Sequence, residues 1–135
     1  MEIKKISFPM RQNETGSLTF LEAQHDVPFD IKRIYYIHDV ASGARRGAHA
    51  HKALQQVYIC IHGTCKVLLD NGKERTTVEL NQPSEGLVFE DLVWREIFDF
   101  SPSSVLLVLA SDFYDESDYI RNYQDFLSYI GGCES

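Results

Sequence analysis

His49-Ala50-His51 closes the run Gly43-Ala44-Arg45-Arg46-Gly47-Ala48-His49-Ala50-His51. In an extended strand, alternate residues share a face, so both imidazoles point the same way. A short loop carrying Arg45, Arg46 and Gly47 leads into that face. Imidazole titrates near neutral pH, and fixed positive charge beside it suits an anionic substrate. Such a pair could move protons on that substrate, or it could hold a metal. A purely structural pair is the costlier alternative, because two inward histidines flanked by arginines burden a core that does not use them.

Charge narrows the partners. The 135 residues carry a formal net charge of −7, which argues against a phosphate-tracking nucleic-acid binder. The distribution is uneven. Between Lys32 and Lys52 stand Lys32, Arg33, Arg45, Arg46 and Lys52 against the single acid Asp39. From Ser111 onward there are six acids and only Arg121. A basic island that overlaps the histidines points to a small anionic ligand. No apolar run approaches the roughly 20 residues that span a bilayer, and the N-terminus lacks a signal-peptide core. Cys60, Cys65 and Cys133 form no CxxC pair. A reduced, cytoplasmic protein without nucleic-acid or membrane partners is expected.

The elements that must position the histidines read mostly as short strands: Ile31–Ile37, Gln56–Ile61, Thr64–Asp70, Arg75–Leu80, Gly86–Phe89, Val93–Phe98 and Ser104–Ala110. Asp70-Asn71-Gly72 between two of them signals a hairpin. Cys60, Cys65, Trp94 and Phe98 read as core. After Ser117, apolar positions from Tyr119 to Ile130 follow helical spacing. Ser117 is the expected N-cap, Gly131-Gly132 the expected end, and the acids from Asp112 to Asp118 are expected to serve helix capping. The prediction is a single all-β domain over 1–135, a jelly roll with a short C-terminal helix.

Gly43, His49, His51, Gln56 and Gly63 have the spacing Gly-X5-His-X-His-X4-Gln-X6-Gly. This resembles the first motif of the cupins, which implies a cupin jelly-roll β-barrel with the histidines in its mouth. A segment starting at Gly86 resembles a worn second motif. Metal-binding cupins commonly use two His and a Glu from the first motif and a His from the second. Here Gln56 stands at the Glu position and Arg95 at the second-motif His position. Losing an anionic ligand and gaining a cation both disfavour a divalent ion, so no metal is expected.

A closer resemblance covers nearly the whole chain. Val27 to Ile37, Arg46 to Lys52, Val93-Trp94-Arg95-Glu96 and Leu107 to Arg121 look like the dTDP-4-keto-6-deoxyglucose 3,4-ketoisomerases, cupins of the WxcM-like and FdtA-type group. The resemblance implies a homodimeric isomerase without cofactor, acting on a dTDP-sugar. It implies a role in making 3-amino-3,6-dideoxy sugars for surface polysaccharide. In such a reaction a base takes the C3 proton, an enediol forms, and a proton returns to C4. His51 is the expected principal base and His49 its partner. On the strand Ile31–Ile37, Arg33, Tyr35 and Ile37 share a face. Tyr35 is then the expected donor to the enolate oxygen. Arg33 and Arg46 are the candidates for the pyrophosphate. Gln56, Arg95 and Thr15 are the further candidate substrate contacts, Thr15 and Arg95 at positions that bear on the C4 configuration of the product. Three alternatives stay open: a cupin epimerase of dTDP-keto sugars, a non-catalytic nucleotide-sugar-binding cupin, and a metal-dependent oxygenase.

Overall fold

Alternation of β-branched and aromatic residues decides most of this molecule. A computed structural model describes residues 1–133. In chain order it has β1 (Lys4–Ser7), β2 (Met10–Asn13), β3 (Gly16–Thr19), β4 (Arg33–His38), β5 (Arg46–His51), β6 (Gln56–His62) and β7 (Cys65–Asp70). There follow β8 (Arg75–Leu80), β9 (Glu85–Phe89), β10 (Trp94–Phe98), β11 (Val105–Ala110), a 3-10 turn (Glu116–Asp118), β12 (Tyr119–Ile120) and α1 (Tyr123–Cys133). The strands make two five-stranded sheets, β1-β9-β6-β11-β4 and β12-β5-β10-β7-β8, while β2 and β3 form a hairpin of their own. The class is all-β, as expected. Among the described residues no ladder joins the two sheets, however, so the jelly roll is a sandwich and not a closed barrel.

The main core lies between the sheets. Tyr58, Cys60, Leu106 and Val108 from one sheet meet Cys65, Val67, Leu69 and Ile97 from the other. Because side chains alternate, the neighbouring residues Val57, Ile59 and Leu109 face outward. There the N-terminal residues Phe8, Val27 and Phe29 cover them. On the far side, Ala50, Trp94 and Ile120 pack under Phe126 of α1. Trp94 is therefore core, as read from the sequence. Phe98 is not; it lies half-buried beneath the Arg45 guanidinium, 4.2 Å from its ring centre.

Two local corrections matter for function. First, the helix begins at Tyr123 and not after Ser117. Tyr119 and Ile120 instead extend and pair with His51 and Ala50 of β5. Asn122 takes over the start of the helix, accepting from the backbone N–H of Asp125 through its side chain (3.1 Å) and of Phe126 through its carbonyl (3.0 Å). The helix also runs through Gly131 to Cys133, so the glycines do not stop it. Second, β5 carries a bulge. Arg95 pairs with His49, but Ile97 pairs with Arg46, one residue further along than a regular ladder allows. Gly47 supplies the positive φ of 66° that this needs. The extra residue turns Arg46 onto the same side as His49.

Candidate active site

The histidine strand lies between two partners. Across one edge His49 pairs with Arg95 of β10, and across the other His51 pairs with Tyr119 of β12. Cross-strand neighbours of this kind hold side chains in contact. The two imidazoles meet edge to face, 4.8 Å between ring centres. The Tyr119 ring packs against both, at 5.1 and 4.3 Å. Both histidines are buried. On the opposite sheet, Arg33, Ala110 and Gln56 stand in one row, and Tyr35, Val108 and Tyr58 in the next.

The space between them is open to ligand. A cavity of about 560 Å³ is walled by Arg33, Tyr35, Arg46, His49, Tyr58, Tyr119 and Arg121, among others. A smaller one of about 170 Å³ is walled by His51, Asp118, Ser111 and Phe113, and it shares Arg33 and Tyr119 with the first. Of the residues singled out in the sequence, Arg33, Tyr35, Arg46 and His49 line the wider cavity, while His51 lines the smaller one together with Arg33. Arg95 and Gln56 do not reach either wall; they are almost wholly buried one layer behind Tyr35 and Tyr58. Thr15 sits at the exposed turn of the β2–β3 hairpin, bonded to Asn13, and lines neither cavity of its own chain.

Several polar atoms here are buried without a partner among the described residues: Nε2 of His49, Nε2 of His51, and Nε and Nη2 of Arg33. Each such atom costs roughly 1–3 kcal/mol, a cost that a bound ligand offsets. The Arg33 guanidinium sits over Tyr35 and Tyr114, at 5.3 and 5.6 Å from their ring centres, so its free N–H groups form a fixed anion fork. Burial, then the Arg95 charge, then His51 hold His49 down at about 2. Burial and Arg95 also lower His51, against the raising pull of Asp118. Both rings are therefore neutral at physiological pH, and each carries an unprotonated ring nitrogen. Burial pushes the Tyr35 hydroxyl up, so it keeps its proton.

Asp118 and Tyr119 stand against the histidines, a placement the sequence reading did not give them. Asp118 Oδ2 lies 2.9 Å from His51 Nδ1, and the carboxylate also accepts the backbone N–H groups of Ala53 (2.8 Å) and Leu54 (3.3 Å). The acid run does cap a turn: Asp115 accepts from Ser117. A metal finds poor ligands here. The Gln56 amide oxygen is engaged by Arg95 at 2.6 Å, and among the described residues no three His, Cys, Asp or Glu side chains converge to hold an ion.

A family model described as FdtA, WxcM-like, C-terminal, matches residues 1–131. The chain belongs to the FdtA family. A curated relative, the TDP-4-oxo-6-deoxy-alpha-D-glucose-3,4-oxoisomerase of Aneurinibacillus thermoaerophilus, is 47% identical over 130 residues, 96% of this chain and 94% of its own. Among solved structures, QdtA, a sugar 3,4-ketoisomerase from Thermoanaerobacterium thermosaccharolyticum crystallised with TDP, superposes with a TM-score of 0.93 at 48% identity over 96% of this chain and 95% of its own. A His→Asn variant of QdtA has been crystallised with TDP-4-keto-6-deoxyglucose. A 3,4-ketoisomerase from Helicobacter canadensis gives a TM-score of 0.93 at 45% identity, over 97% and 98% of the two chains. The FdtA-family fold thus carries, in this chain, a neutral histidine pair beside an unpartnered arginine fork.

Proposed function

We propose that this FdtA-family chain is a sugar 3,4-ketoisomerase that converts TDP-4-keto-6-deoxyglucose to a TDP-3-keto-6-deoxyhexose. The observation that carries the reading is the pair of buried, neutral imidazoles with free Nε2 atoms on walls shared with Arg33 and Tyr119. The identity to relatives named for this activity supports it. Arg33 and Arg46 take the diphosphate, and the sugar ring lies in the wider cavity against Tyr35 and His49. Arg121 also stands on that wall, but Glu116 holds its guanidinium at 2.6 and 2.9 Å.

The chemistry follows from the 4-ketone, which acidifies C3–H. A neutral imidazole takes that proton while the C4 oxygen gains one from the Tyr35 hydroxyl, giving a 3,4-enediol. The imidazolium, its proton exchanging with solvent, then delivers one to C4, and the C3 hydroxyl passes its own to the Tyr35 phenolate as the C3 carbonyl forms, restoring both groups. The net change moves one hydrogen from C3 to C4 and one from O3 to O4, without gain or loss of electrons. The sequence reading favours His51 as base, and the carboxylate behind it fits that role. His49 is the imidazole on the wider wall, so we place it against the reacting carbons. His51 and Asp118 then act together beside it. A cytoplasmic setting and a homodimer belong to the same proposal, as does supply of 3-keto sugars for amination.

The test is an NMR time course with TDP-4-keto-6-deoxyglucose in D2O after chelator treatment. Movement of the carbonyl to C3 with deuterium at C4 is the expected result. Exchange at C3 or C5 with the ketone still at C4 would mean an epimerase. Binding of TDP without exchange would mean a non-catalytic module. In the same assay His49→Asn is expected to abolish exchange while retaining TDP affinity, and His51→Asn to slow it about 10²-fold.

A further inference from the structure

We propose that Arg95 and Gln56 are positioning residues that aim the Tyr35 hydroxyl proton into the cavity. The inference rests on the ketoisomerase reading and deepens it. Arg95 Nη1 donates to Gln56 Oε1 at 2.6 Å, and Gln56 Nε2 donates to the Tyr35 hydroxyl oxygen at 3.0 Å. A guanidinium has donors only. The amide must therefore turn its oxygen toward Arg95, which leaves its NH2 facing Tyr35. With that lone pair of Tyr35 occupied by a donor, its O–H cannot point back at Gln56. Tyr35 is a wall residue of the wider cavity, so the proton is directed toward the ligand.

The surroundings make the chain one-directional. Arg95 is 1% exposed and Gln56 0%, so no solvent competes for either group. Arg95 rests 4.2 Å above the Phe89 ring and makes a longer contact of 3.5 Å to the Tyr58 hydroxyl. Its charge is met by no carboxylate among these contacts and polarises the Gln56 amide toward Tyr35. A preset donor needs no reorganisation when negative charge develops on the sugar oxygen. The same logic explains why an amide, and not a carboxylate, suits position 56: a carboxylate would accept the Tyr35 proton itself.

Gln56→Glu tests this directly, because the new side chain is the same shape and retains a partner in Arg95. Wild-type turnover of TDP-4-keto-6-deoxyglucose is measured first; a wild type without isomerase activity removes the ketoisomerase reading and this inference with it. On an active wild type, Gln56→Glu is expected to lower kcat about 10²-fold, close to the loss in Tyr35→Phe. TDP affinity and thermal midpoint are expected to stay near wild type, and the double variant to lose no more than Tyr35→Phe alone. A wild-type kcat in Gln56→Glu, or a loss that multiplies with Tyr35→Phe, overturns the inference and leaves the ketoisomerase reading standing. If Gln56→Glu does not fold, Gln56→Met replaces it. A fall in kcat that vanishes on the Tyr35→Phe background supports the relay, and one that persists there overturns it.

Discussion

Nδ1 of His51 and Oδ2 of Asp118 lie 2.9 Å apart, across 67 residues of sequence. The carboxylate fixes the tautomer: Nδ1 carries the proton, and Nε2, buried and without a partner among the described residues, is left as the acceptor. Asp118→Asn reverses this, because an amide NH2 donates toward Nδ1 and drives the proton to Nε2. The expected result is a fall in kcat of about 10²-fold or more with little change in TDP affinity. The acid limb of the residual activity should move to lower pH, since Asp118 is what raises His51 against its burial. An unchanged pH profile would show that the contact plays no part in turnover.

Buried neutral histidines also make stability depend on pH. His49 and His51 are held below their ordinary value in the fold. In the unfolded chain they bind protons near 6.5. The unfolded state therefore takes up protons first, and stability is full above pH 6.5 and is lost as pH falls below it. At pH 5 each ring costs roughly 2 kcal/mol. Urea midpoints measured at pH 7 and pH 5 should differ accordingly, and the His49→Asn/His51→Asn double variant should flatten the difference. Equal slopes in both proteins would contradict the burial argument.

Much of this is legible in the sequence. Apart from β5, signalled only by its alternating histidines, the strands from Arg33 to Ala110 carry alternating or continuous apolar patterns and lie within two residues of the bounds read from them. Arg33, Tyr35 and Ile37 do share the inward face of β4, the alternate residues Ile34 and Tyr36 being exposed. What escaped were elements whose residues carry no such signal. β2 is Met-Arg-Gln-Asn, exposed throughout. β12 is two residues long and inherits its conformation from pairing with β5. Asp118 sits in an acid run that reads locally as a cap, and only the long-range β12–β5 pairing sets it against His51. One local clue existed: Asn122 followed three residues later by Asp125 is a better helix start than Ser117.

Arg33 ties affinity to a built-in cost. Two of its buried guanidinium nitrogens have no partner among the described residues, a cost that the diphosphate proposed for this site would offset. Arg33→Met should weaken TDP binding by about 10²-fold, in keeping with the loss of a charge-assisted fork. It should also leave the ligand-free thermal midpoint equal or higher, and remove most of the upward shift that TDP produces in the wild type. Calorimetric titration and thermal unfolding on the same samples check both. A destabilised apo variant with wild-type affinity would place the anion elsewhere.

The edge of the first sheet bears on assembly. β4 is an end strand, with Ile34 and Tyr36 outward and 59% and 61% exposed. An apolar edge with unpaired backbone groups is a pairing liability unless another chain covers it, and a second copy of this chain is the occupant proposed here. Ile34 and Tyr36 also stand at the rim of the wider cavity, so that seam would adjoin the site. The Ile34→Glu/Tyr36→Glu variant is expected to sediment as a monomer where the wild type sediments as a dimer, with kcat falling as the dimer dissociates. A wild type that is monomeric at micromolar concentration, or a charged variant that still dimerises, would rule out β4 as the seam.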